Sequence, residues 1–122
     1  MIELPYVLRR NQHRIGKSGR KSEKRVAKEL GARERPASGA MAGAKGDMEL
    51  KRALIEAKST TGASISVSLD WLCKIAREAR SDGKTPALTV SYVDDDGRPR
   101  PDGSWALIPL YAFKELFAGE TP

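Results

Sequence analysis

The chain has a single cysteine and a single histidine in 122 residues. Cys73 alone can form neither an internal disulfide nor a cysteine-rich zinc site. His13 alone rules out paired-histidine zinc chemistry of the HExxH kind and argues against an HNH-type nuclease. A Ser-His-Asp triad would have to use His13, which sits in a basic, polar stretch unsuited to a buried base, so no catalytic role falls to it. No apolar run reaches about 18 residues, so no membrane-spanning helix is expected, and Met1 to Arg10 lack the apolar core of a signal peptide. The expectation is a soluble, cytoplasmic protein with no membrane partner. With 39% apolar residues at this length, one compact domain with a modest core follows, small enough for self-association to cover part of its surface. Any catalysis must then rest on carboxylates and lysines.

Charge is plentiful and unevenly placed. The net charge is +6, yet residues 1–35 hold 11 Lys and Arg against 4 Asp and Glu, and residues 36–122 hold 11 against 12. The whole positive excess lies in the first third. A block of this kind is the electrostatic footprint of a protein that binds phosphate backbones, and it would serve equally as a solvated tail. Its cations are Arg9, Arg10, Arg14 and Lys17 in an N-terminal arm, residues 1–17, followed by Arg20, Lys21 and Lys24.

From Ser18 or Gly19 to Leu30 the spacing predicts a helix, stopped by Gly31. Glu23, Val26, Ala27 and Leu30 share one face, which sets Glu23 on the edge of the apolar stripe, where a carboxylate calls for a partner or a metal. Ala32 to Pro36 reads as a short strand. A loop of small residues with three glycines follows, from Ala37 to Gly46, where the backbone can move or approach a ligand closely. Asp47 to Lys58 reads as two antiparallel strands turning at Lys51-Arg52. Beyond a Ser/Thr-rich link, Ser68 caps a helix from Leu69 to about Ser81, expected to pack through Leu69, Leu72, Cys73 and Ala76 with help from Trp71 or Ile75. Pro86 to Val93 is a strand, Asp94 to Ser104 an acidic turn rich in Gly and Pro, Trp105 to Leu110 the returning strand and Tyr111 to Phe117 a short helix. Cys73, Trp71 and Trp105 are expected as packing residues, and Phe113, Leu116 and Phe117 as core or as a contact with a second copy. The order gives an α/β fold, a single domain whose central mixed sheet is flanked by helices.

A turn centred between Lys51 and Arg52 pairs 50 with 53, 49 with 54, 48 with 55 and 47 with 56. Asp47 and Glu56 then face each other with Cβ atoms about 4.5–5.5 Å apart, and Lys58, two residues on, projects from the same side. Two opposed carboxylates repel unless a cation lies between them. Mg²⁺ suits, with oxygen ligands and retained waters, and Mn²⁺ would substitute. The Ala57 carbonyl adds a ligand beside Glu56, and Glu23 could complete the acidic pocket. Such a metal would polarise a phosphodiester oxygen and supply a hydroxide. Lys58 would orient the water, help deprotonate it, or stabilise the charge of the transition state. The tripeptide Glu56-Ala57-Lys58 by itself would suit an ordinary charged strand. Its weight comes from Gly46-Asp47 at hairpin register, the apolar run Ala53-Leu54-Ile55 and a helical Glu upstream.

The order of Glu23, Pro36-Ala37-Ser38-Gly39, Gly46-Asp47 and Ala53-Leu54-Ile55-Glu56-Ala57-Lys58-Ser59-Thr60 resembles the archaeal-type Holliday junction resolvases, a branch of the PD-(D/E)xK nucleases. The resemblance is closest from Gly16 to Thr60 and looser beyond. It implies a restriction-endonuclease-like core over residues 18–122, with Glu23, Asp47, Glu56 and Lys58 as the metal site and Ser38 of the Ser-Gly loop in catalysis or substrate contact. It also implies a homodimer that cuts opposing strands of a four-way DNA junction symmetrically. The family often has Arg after the helical Glu, where this chain has Lys24. It also carries an Arg before the Ser-Gly loop, a role open to either Arg33 or Arg35. Lys45, the register partner of Lys58, joins the DNA-contacting cations. Two alternatives stay open: a nuclease of this type acting on another DNA structure, and a basic nucleic-acid-binding protein without catalysis.

Overall fold

The computed structural model describes residues 19–35 and 47–122, with the side chain of Asp47 outside the description. The arm cations Arg9, Arg10, Arg14 and Lys17, together with His13, Ser38 and Lys45, lie outside the described residues. In order come α1 (residues 19–30), β1 (Arg33–Glu34), β2 (Asp47–Glu49), β3 (Ala53–Thr60), α2 (Leu69–Ser81), β4 (Thr85–Val93), β5 (Pro99–Leu107) and α3 (Leu110–Leu116). The strands form one open sheet in the order β1-β2-β3-β4-β5. The β3–β4 pair is parallel and the other neighbours are antiparallel. This is the expected small α/β domain with a mixed sheet.

Helix α1 ends as the glycine signal predicts. Gly31 adopts φ +68, its N–H donates to the Lys28 carbonyl at 3.2 Å, and the Ala32 N–H donates to Ala27 at 2.8 Å, the paired bonds of a Schellman stop. Gly83, also at φ +68, ends α2 in the same way, with Gly83 donating to Arg80 and Lys84 to Ala79. At the other end of α2, the Ser68 side chain accepts from the Asp70 N–H at 3.1 Å, the predicted N-cap.

Side chains of a strand alternate between faces, so β3 divides the core in two. Ile55 and Ala57 join Met48, Val26 and Ala27 under α1. Leu54 points the other way and packs with Ile75 and Ala79 of α2. The two helices therefore cover opposite faces of the sheet.

Several expectations about which faces are buried need correction. On α1, Ser22 is buried and Leu30 is exposed, so the inward stripe is turned toward Ser22, Val26 and Ala27, with Glu23 half-buried beside it. On α2 the stripe runs through Trp71, Ile75 and Ala79 at i, i+4 spacing, while Leu69 is 72% exposed and Cys73 is also exposed. The returning strand begins at Pro99 rather than Trp105, because Pro99 and Pro101 are tolerated in β5, an edge strand whose outer side needs no ladder donors. Trp105 is 62% exposed and is no core residue, and α3 buries only Ala112.

Candidate functional site

The connection through Lys51 and Arg52 determines what the site contains. Neither residue adopts a positive φ, so the turn is not of the primed type usual in tight hairpins. It is nonetheless short, with Leu50 donating to the Ala53 carbonyl at 2.9 Å. The register that follows pairs Asp47 with Glu56, Met48 with Ile55 and Glu49 with Leu54, as the sequence predicts. Asp47 and Glu56 thus stand opposite each other at the end of the described β2–β3 ladder.

Glu56 is 5% exposed. It lies on the α2 face of β3, two residues from the wholly buried Leu54 and in register with buried Leu88 of β4. One carboxylate oxygen, Oε1, meets Lys58 Nζ at 3.0 Å. The other, Oε2, is buried and accepts no hydrogen bond from the described residues. A buried carboxylate oxygen without a donor carries a desolvation cost, and such oxygens recur where an ion or a substrate completes the site. Lys58 is partly exposed, and its ammonium lies 4.4 Å from the centre of the Trp71 ring on α2. No sequence signal beyond its place in the first turn of α2 marked Trp71 for this contact.

Glu23 is half-buried on α1. Its helix packs on the Ile55 and Ala57 side of β3, opposite α2. Among the described residues no three His, Cys, Asp or Glu side chains form a group able to hold a metal.

The cations divide into two sets. Arg20, Lys21 and Lys24 are exposed on α1. Arg33 is committed to Glu49 across β1–β2, and Arg35 to Asp82 at 3.1 Å. Lys84 also reaches Glu49 at 2.8 Å and donates to the Leu50 carbonyl at 2.9 Å. Hydrogen bonds from Lys84 first, and then from Arg33, pull the Glu49 carboxyl down from the usual 4.5 to about 2. This cluster ties β1 and β2 to the start of β4. Nothing in the sequence links Glu49 to a lysine 35 residues away.

No family model matches the chain. Nor does any curated protein or solved structure. Among the described residues, no helix is long and apolar enough to cross a membrane.

Proposed function

We propose that the chain is a Mg²⁺-dependent endonuclease of the PD-(D/E)xK type that resolves four-way DNA junctions as a homodimer. The observation that carries the reading is the register Asp47↔Glu56 with Lys58 on the Glu56 face and Glu56 Oε2 buried without a donor among the described residues. The donor set suits a hard cation, since two carboxylates and the Ala57 carbonyl offer only oxygen. Asp47, Glu56 and Ala57 would hold it, with Glu23 approaching from α1. When bound, it would polarise the scissile phosphodiester and lower the pKa of a coordinated water.

The chain's own groups supply the rest. Lys58 stabilises the negative charge that builds on the phosphoryl oxygens. Arg20, Lys21 and Lys24, with the arm cations Arg9, Arg10, Arg14 and Lys17, hold flanking phosphates without reading sequence. Arg33 and Arg35 would join them only by giving up Glu49 and Asp82. Ser38 and Lys45 keep the roles that the resolvase resemblance implies. The homodimer is supported by apolar side chains left uncovered on β5 and α3, among them Trp105, Leu110, Phe113 and Leu116.

The test is cleavage of a labelled four-way junction with Mg²⁺, wild type beside Asp47→Asn, with a linear duplex of matched sequence as control. Paired, symmetric nicks in the junction, absent from the duplex and from the variant, are expected. Equal cutting of duplex and junction would discard the resolvase while keeping the nuclease. Tight binding without cutting would sink both.

A further inference from the structure

We infer that Trp71 is a positioning residue for Lys58, holding the ammonium at the site when Glu56 turns to another cation. The inference rests on the nuclease reading and extends it to a residue on α2. In the structure Lys58 has two neighbours of opposite character. Glu56 Oε1 offers charge at 3.0 Å, and the Trp71 ring offers an electron-rich face at 4.4 Å, within the range of a cation–π contact. Glu56 is also the residue proposed to hold the metal. A carboxylate engaged with a divalent cation is lost to Lys58 as an ion-pair partner, and the two positive charges then repel. The attraction of the aromatic face survives that change. It is uncharged, coordinates no divalent ion and does not compete with phosphate for the ammonium.

A positioning group needs a fixed backbone, and the helix supplies one to Trp71. It is half-buried in the first turn of α2, one turn before Ile75 and two before Ala79, and both of those are locked against Leu54. Ser68 caps the same turn. Leu54, Glu56 and Lys58 line one face of β3, so a single helix stripe spans the core contact at one end and the lysine at the other. The arrangement limits the swing of a long side chain that would otherwise sample many rotamers.

Full-length protein carrying Trp105→Phe leaves Trp71 as the single tryptophan. In that background, Lys58→Met should shift the Trp71 emission, because the ring loses its cation. Mg²⁺ added to the Lys58-containing protein should leave the emission near its starting value, because the ammonium stays. Emission indifferent to Lys58→Met, or moved by Mg²⁺ as far as by Lys58→Met, would overturn the inference whether or not the protein cuts DNA. Cleavage supplies the second readout. At saturating junction and Mg²⁺, Trp71→Leu should lower kcat by about three- to thirty-fold with KM little changed, and Trp71→Phe should recover most of the loss. A wild type that cuts, with Trp71→Leu cutting equally well, keeps the nuclease and removes this role. A wild type that never cuts takes the function and the role down together.

Discussion

At the residue scale the site is a conflict between stability and charge. Asp47 and Glu56 are opposed in register, and Glu56 is buried with Lys58 as its cationic partner among the described residues. Like charges directly opposite in a sheet are destabilising by up to about 1 kcal/mol, so Asp47→Asn should raise the thermal midpoint in metal-free buffer. Millimolar Mg²⁺ should raise the midpoint of the wild type and not of this variant, since only a site that binds the ion gains from mass action. Glu56→Gln should abolish cleavage while leaving junction binding intact or tighter, measured by electrophoretic shift. Glu49 gives a separate signature. Its folded carboxyl titrates at about 2 instead of 4.5, so it contributes stability that is full above about pH 4.5 and is lost as the pH falls toward 2. Glu49→Gln should therefore flatten the acid limb of a stability-against-pH curve and leave the neutral limb parallel to wild type.

At the element scale, the legible features were those with local chemistry. Ser68 opens α2 and Gly31 closes α1 by capping alone. The two-residue connection at Lys51-Arg52 carries the register of the whole site. Helix phase was less legible. Of the stripe Leu69, Leu72, Cys73 and Ala76, Leu72 and Ala76 are half-buried, as Trp71 is, whereas Leu69 and Cys73 are exposed and the fully buried positions, Ile75 and Ala79, are those above Leu54. On α1, the buried Ser22 and the exposed Leu30 reverse what hydropathy alone would assign. The start of β5 was hidden by its prolines, because Pro-Arg-Pro-Asp-Gly has turn composition and only an edge position makes it a strand. Within that strand Gly103 is required by space. A Cβ there would come within 2.8 Å of the Tyr92 carbonyl oxygen and 2.9 Å of that of Arg100, both backbone atoms. Gly103→Ala should destabilise the domain by more than about 1 kcal/mol, read from urea unfolding. Ser68→Ala should cost about 1 kcal/mol through the lost cap.

At the scale of the whole molecule, the two faces of the sheet have separate duties. The α1 side is closed by a helix whose outer surface carries Arg20, Lys21 and Lys24, and the α2 side holds Glu56 and Lys58. Deleting residues 1–15 should weaken junction affinity and flatten its dependence on salt, because each lost phosphate contact removes released counterions. Unchanged affinity and slope would free the arm from any role in binding. The uncovered surface of β5 and α3 makes a further prediction. Leu116 is 71% exposed, and Leu116→Glu should convert a dimer to a monomer in sedimentation velocity without loss of secondary structure. A wild type that sediments as a monomer at high concentration would remove the dimer from the proposal.

The Lys51-Arg52 turn has one more consequence, in the arithmetic of odd and even. A strand presents its side chains with a period of two, so the length of a connection fixes the parity of everything after it. One residue added between Leu50 and Ala53 would leave β3, held by β4 and by Leu54 beneath α2, in place, and a ladder re-formed one step along would turn Asp47 to the side away from Glu56. Two residues added would restore the original sides. Substitutions at Lys51 and Arg52 are thus free to accumulate on this exposed bend, whereas a single-codon insertion there acts as a frameshift in three dimensions. The least distinctive dipeptide in the chain, through its length, keeps Asp47 on the side of Glu56.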